Sequence, residues 1–282
     1  MLKYVYIIVS ALAAVALCLL TDAFAGLSWL WMMPAGFAGC YLVLLIGLFV
    51  LVLTMASVVD MDKPVEKEHG FYWAVAHGVI SVAVPLLRIR IHNKGLEQKP
   101  EGKCLVVCNH LNDLDPAFII RAFPEKRLAF ISKREVDNMF LVGKYLHKLR
   151  GQPVNRENDR EALKTILNCI RIIKEDDASV AVFPEGYVSL DKKLHPLRHG
   201  VFKIAQRAGV PIAVCTLQNT HHIFSNAKRL KPTDVHFHLV GVIPAEELKG
   251  VTAVEIGERV YKMMADDLGP ELVLPRENPQ TP

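Results

Sequence analysis

No CxxC pair occurs in the chain, no dense Lys/Arg tract carries interleaved aromatics, and no zinc-finger spacing of Cys and His is present. The first absence removes the usual redox and structural-zinc readings of cysteine. The other two leave nucleic acid without a surface to bind. All six cysteines, Cys18, Cys40, Cys104, Cys108, Cys169 and Cys215, lie in apolar or helix-patterned stretches. They read as small buried hydrophobes of a reducing compartment. Internal repeats and low-complexity tracts are also lacking, so a solenoid is not expected.

Charge is missing from two long stretches, Tyr4 to Leu20 and Leu27 to Val59. About 20 apolar residues in a helix cross a hydrocarbon core of about 30 Å, and the second run is long enough even after Pro34. Lys3 before the first run and Ala23-Phe24-Ala25 after it fit a signal peptide. A second apolar segment follows at once, which favours a transmembrane hairpin over residues 1–62, with helices at about 4–20 and 35–58. Lys3 and the amino terminus mark one end and the outer loop has no Lys or Arg, so both termini are expected in the cytoplasm. Trp29 and Trp31 then sit at the outer headgroup level.

Residues 1–62 hold one Lys and three Asp, a balance of minus two, which leaves plus six of the overall plus four to the remainder. A mildly basic domain beside a membrane attracts anionic headgroups and anionic substrates alike. Phe71 to Leu87 is 17 residues long and holds His77, Gly78 and Pro85. Residues 63–92 are therefore expected to be an interfacial helix and linker rather than a third span.

From 93 to 268, strand-like and helix-like segments alternate, after a basic/apolar alternation in Arg88 to His92. Strands are predicted at Cys104 to Cys108, Leu128 to Ser132, Ser179 to Phe183, Pro211 to Leu217 and Val235 to Val242. Helices are predicted at Pro116 to Phe123, Glu135 to Leu149, Asp159 to Lys174, Gly200 to Ala208 and Val254 to Leu268. Asn158 and Glu161 have capping-box spacing before Ala162, Leu163, Ile166, Leu167 and Ile170 at helical period. Gly209 is placed to end the fourth helix. The fold class is α/β, a largely parallel sheet flanked by helices, with a loose tail over 269–282.

Two strand ends hold chemistry-bearing residues. After Cys108 comes Asn109-His110-Leu111-Asn112-Asp113-Leu114-Asp115, which sets an imidazole five residues before a carboxylate. Histidine holds or releases a proton near neutrality, and a carboxylate on its other ring nitrogen fixes the tautomer. Asp115 before Pro116 also fits a helix N-cap with proline at the first position, and both readings stand. After the third strand comes Phe183-Pro184-Glu185-Gly186, where a glycine lets backbone N–H groups approach a phosphate. A plain strand-ending turn is the alternative.

The order of four blocks, Asn109 to Asp115, Gly151 to Arg156, Phe183 to Gly186 and Val210-Pro211-Ile212, resembles the 1-acylglycerol-3-phosphate acyltransferases with an NHxxxxD box, over residues 85 to 245. That resemblance implies acyl transfer from acyl-CoA or acyl carrier protein to a lysophospholipid hydroxyl, without a cofactor or metal. It makes His110 the general base and Asp115 its orienting partner. Asn109, Arg156, Phe183, Pro184, Glu185, Gly186 and Pro211 become substrate-binding residues. The expected partners are the acyl donor, the lysophospholipid acceptor and membrane lipids, with no nucleic acid. The expected location is a membrane with the domain on its cytoplasmic face. Backbone N–H groups near the His110 turn are candidates for the oxyanion.

Departures are present too. The family commonly has Ser where Asn112 stands, and Thr or Ser then Arg where Tyr187-Val188 stand; loss of that arginine removes a phosphate clamp. Arg156, Lys192, Lys193 and Arg198 are the candidates to replace it. The usual proline before the fourth block's valine is absent, since Ala213-Val214-Cys215 is a plain strand. Two other classes remain: a metal-dependent hydrolase using His110, Asp113, Asp115, His236 and His238, and a catalytically silent membrane adaptor.

Overall fold

The structure, a computed structural model, describes residues 2–63, 65, 70–155, 158–175 and 178–274. Helices α1 (Leu2–Leu20) and α2 (Trp29–Ser57) form an antiparallel pair whose outer residues are exposed and apolar. Both are long and apolar enough to cross a membrane. α2 starts at Trp29 rather than near 35, because Pro34 lies in its opening turns. Their contact is close: a Cβ on Gly36 would lie 3.3 Å from the Ala14 Cα. Helix α3 (Gly70–Leu86) follows, and its Tyr72 hydroxyl donates to the Met55 carbonyl at 2.9 Å.

The chain then builds β1 (Ile89–Lys94), β2 (Leu105–Cys108), α4 (Asp115–Ala122), β3 (Leu128–Lys133), α5 (Val142–Lys148), β4 (Gln152–Val154), α6 (Asp159–Glu175), β5 (Ser179–Val182), α7 (Lys203–Ala208), β6 (Ile212–Gln218), α8 (Ile223–Lys228), β7 (Thr233–Ile243) and α9 (Ala253–Leu268). These strands make one sheet in the order β1-β7-β6-β2-β5-β3-β4. Five run parallel from β6 to β4; β7 is antiparallel to β6, and β1 is parallel to β7.

Strand composition explains the layout. β2 and β5 are buried at every residue and β6 at all but its last, as expected for apolar central strands covered on both faces. β7 alternates buried and half-buried over most of its length, the pattern of a strand with one covered face. One sheet face packs against α3, α4 and the end of α2 through Phe118, Ile119, Phe123, Trp73 and Met55. The other packs against α6, α7 and α9 through Ile172, Ile173, Ile204, Val260 and Met264.

Several boundaries differ from expectation. β1 pairs with β7 over six residues, Ile89↔Thr233 to Lys94↔His238, so the sheet begins before residue 93. The single helix expected from Glu135 to Leu149 is a 3-10 turn (Arg134–Asn138) and then α5. Gly143 is the hinge: the backbone folds back so closely that a Cβ there would sit 2.5 Å from the Asp137 carbonyl oxygen. The helix expected from Gly200 starts as a 3-10 turn (His199–Phe202) and becomes α7, which ends at Gly209 with φ 71°. Asn158 does cap α6, accepting from the Arg160 and Glu161 N–H groups at 3.1 and 3.2 Å. α9 carries a full capping box between Thr252 and Glu255. The start of the tail is tied down, with Leu194 N–H on the Leu272 carbonyl at 2.8 Å and Leu274 N–H on the Leu194 carbonyl at 3.2 Å.

Candidate active site

The candidate residues gather beyond the carboxyl ends of the parallel strands, where open α/β sheets hold their ligands. β2 stops at Cys108, and the Asn109 side chain takes over the ladder. Its amide donates to the Leu217 carbonyl at 2.9 Å and its oxygen accepts the Leu217 N–H at 2.7 Å. Asn109 is 2% exposed and does not line the cavity. The structure therefore gives it the task of locking β2 to β6, in place of the substrate contact expected of it.

That lock aims the next residue. His110 donates its backbone N–H to Glu185 Oε1 at 2.9 Å, and its carbonyl accepts the Ser189 N–H at 2.8 Å. Its ring Nδ1 lies 2.9 Å from Asp115 Oδ2, and its face stacks on Phe183 with centroids 4.0 Å apart and planes 14° apart. The same Asp115 oxygen accepts the N–H groups of Leu111 at 2.6 Å and Asn112 at 2.8 Å. Asp115 is fully buried. Its carboxylate reaches back to the turn and not to the N–H groups of α4, so the helix-cap reading of Asp115 is set aside; Oδ1 has no partner among the described residues. Two backbone N–H groups and the imidazole thus converge on one carboxylate oxygen. An imidazole that donates Nδ1–H to a carboxylate presents Nε2 as the basic nitrogen.

Glu185 is a second buried carboxylate, 1% exposed. Its other oxygen accepts the His195 N–H at 2.9 Å, so it ties the His110 turn to the loop after β5. Burial pushes its pKa up to about 7, against the lowering effect of the two N–H bonds. It does not line the cavity, unlike its neighbours Phe183, Pro184 and Gly186. Pro211 lies at the other end of the sheet, where its carbonyl accepts the Leu105 N–H at 3.0 Å; it braces a strand start and is remote from His110. Arg156 lies outside the described residues.

His110 forms part of the wall of a cavity of about 880 Å³. Its apolar walls come from Phe130 and Ile131 on β3, Met139, Val142 and Leu146 around α5, and Ala162, Leu163 and Ile166 on α6. The first half of the α6 stripe thus faces the cavity, while Cys169, Ile172 and Ile173 enter the core. The charged residues at the cavity are Asp113, Lys133, Arg198 and Lys203. Of these, Lys133 and Lys203 carry no local motif; Lys133 closes a parallel strand at its carboxyl end, which is the one signal that could have marked it.

Residues 88–218 match the sequence family described as Acyltransferase. The match spans 131 of the 282 residues, and it marks the chain as an acyltransferase. The acyltransferase is 27% identical over 201 residues to a Mycoplasma pneumoniae protein named "Probable 1-acyl-sn-glycerol-3-phosphate acyltransferase", covering 69% of this chain and 75% of that one. A Chlamydomonas reinhardtii 1-acyl-sn-glycerol-3-phosphate acyltransferase is 28% identical over 232 residues, 80% of this chain and 66% of its own length. Among solved structures, the crystal structure of the 1-acyl-sn-glycerophosphate acyltransferase of Thermotoga maritima superposes with a TM-score of 0.60 at 20% identity, covering 81% and 91% of the two chains, and shares the fold.

Three of the backbone donors near the His110 turn are already engaged. The N–H groups of His110, Leu111 and Asn112 all go to carboxylates, which orients the turn and removes them as oxyanion donors. The set proposed for a hydrolytic metal is not gathered: His238 Nδ1 lies 3.1 Å from both Asp267 oxygens, and His236 stacks with His92. Among the described residues, no group of three His, Cys, Asp or Glu is arranged to hold a metal. His221, in the 3-10 turn (Thr220–His222) after β6, is held near pKa 4 by burial, with His222 and Lys192 adding to the shift against Asp115.

Proposed function

We propose that this acyltransferase moves a fatty acyl chain from acyl-CoA or acyl carrier protein to the free hydroxyl of 1-acylglycerol-3-phosphate, giving phosphatidate, at the cytoplasmic surface of a membrane. The observation that carries the reading is the His110 ring, fixed at Nδ1 by a buried carboxylate and standing on the wall of a mostly apolar cavity. The two relatives, one named a 1-acyl-sn-glycerol-3-phosphate acyltransferase and the other a probable one, support it.

In this reading His110 Nε2 takes the proton of the acceptor hydroxyl as its oxygen attacks the thioester carbonyl. Asp115 holds the tautomer and stabilises the imidazolium that forms. The tetrahedral intermediate collapses with departure of the thiolate, which recovers a proton from His110. No acyl-enzyme is required, because the donor is already activated. Phe183 limits ring rotation, and Glu185 holds the turn from behind. The N–H groups of Tyr187 and Val188, on cavity-lining residues, have no partner among the described residues and are available to the oxyanion. Arg156 is retained in the reading as a contact to the acceptor phosphate.

The two apolar helices anchor the domain where the acceptor resides, which raises encounter frequency. α3 lies against them as the interfacial helix, with both termini cytoplasmic. The test is a panel of lysophospholipids and glycerol-3-phosphate, each assayed with an acyl-CoA and an acyl carrier protein thioester. The expected result is fastest transfer to 1-acylglycerol-3-phosphate with at least one donor; transfer to no lysophospholipid would refute the proposal.

A further inference from the structure

The cavity beside His110 has two unlike parts. Its walls are hydrocarbon, which suits an acyl chain, while its charged groups are few and mostly positive. Lys133 is neutralised by Glu135 at 2.9 Å. Among the described residues, Arg198 and Lys203 have no ion pair and Asp113 is the only carboxylate that lines the cavity. Two unpaired cations facing an apolar cavity suit an amphiphile with an anionic head.

Arg198 is also tied to the strand end that supports His110. Its N–H donates to the Pro184 carbonyl at 2.8 Å, and Pro184 follows Phe183, the residue stacked on the imidazole. Position 188, where an arginine would follow the Glu185-Gly186 pair, is Val188, and Tyr187 beside it lines the same cavity. A guanidinium can grip a phosphate through two parallel N–H bonds, and a phosphomonoester carries about −1.5 to −2 charges at pH 7. A zwitterionic head brings an ammonium as well as a phosphate, and that ammonium would meet the same two cations.

We infer that Arg198, supported by Lys203, is the phosphate clamp that selects a lysolipid phosphomonoester as acceptor. This rests on the acyl-transfer reading above. Phosphate could reach the cavity from the acceptor or from the coenzyme of an acyl-CoA donor, and the proposal assigns it to the acceptor. Both side chains are exposed, so their replacement should leave the fold intact.

The experiment measures acceptor and donor KM separately for the wild type, R198A, R198K and K203A in detergent. The acceptors are 1-acylglycerol-3-phosphate and, lacking the phosphate, 1-acylglycerol. R198A should raise the phosphorylated acceptor's KM about 10- to 100-fold, the range for a lost charged hydrogen bond, with donor KM unchanged within about twofold. Its rate with 1-acylglycerol should match the wild type, R198K should recover part of the loss, and K203A should lose less than R198A. An acceptor KM within about twofold of wild type in R198A, or an equal rise in donor KM, would overturn the assignment. Equilibrium binding of 1-acylglycerol-3-phosphate to H110A, with and without R198A, separates the two claims. Binding lost with R198A supports the clamp even if the wild type proves inactive; binding kept in R198A overturns it.

Discussion

At the scale of single residues, the site is organised by two buried carboxylates with different duties. Asp115 serves the imidazole ring, and Glu185 serves the backbone beneath it. Replacing Glu185 with Gln sets an amide donor against one of two N–H donors, so E185Q is expected to lose about 1–3 kcal/mol of stability. The pH dependence carries a definite sign. The folded carboxyl is raised to about 7 from 4.5, so between these values the native state holds a proton that the unfolded chain has released. Stability from this group is present below about pH 4.5 and falls as pH rises through 7. Chemical denaturation of wild type and E185Q at pH 5 and pH 8 should show the wild-type advantage narrowing at the higher pH. Taking the difference cancels the opposite slope below pH 6.5 from His221, whose pKa is lowered. A gap that widens toward pH 8 would show that the N–H bonds outweigh burial.

At the scale of elements, legibility followed the length and regularity of the pattern. β2, β5 and β6 were readable because central strands are continuously apolar, and the start of α6 because Asn158 is a cap. β4 was not readable: three residues, Gln152–Val154, with a proline in the middle have no period. The break at Gly143 arises from a close backbone approach that spacing does not encode. In the site, His110 and Asp115 were legible because both stand in one seven-residue segment. The duties of Asn109 and Pro211 were not, because each is set by a neighbouring strand. Lys133, Arg198 and Lys203 come from separate segments and meet only in the folded cavity. The lock between β2 and β6 has its own test. N109A leaves the Leu217 N–H and carbonyl unpaired in a buried place, and should cost about 2–4 kcal/mol in urea denaturation. Because the His110 turn starts at that lock, kcat should fall more than acceptor KM rises. A stable variant with unchanged kcat would mean that the turn is held from elsewhere.

At the scale of the whole molecule, one sheet separates two environments. On one face α3, α4 and the end of α2 join the sheet to the apolar hairpin; on the other, α6, α7 and α9 form the remaining layer. The His110 turn leaves the sheet at its carboxyl edge beside the cavity, so an activated hydroxyl and an apolar chain can share one space. A hairpin fit to cross a bilayer and a site fit for a lipid suit one substrate class. The central claim is that His110 acts as the base in transfer to a lysolipid hydroxyl. Its most direct test compares the wild type with H110A in lipid nanodiscs, following thiol release from the acyl thioester with 1-acylglycerol-3-phosphate as acceptor. The account predicts a fall in kcat of about 10²- to 10⁴-fold with circular dichroism and melting temperature little changed. Turnover within a few-fold of wild type in a folded H110A protein would contradict it.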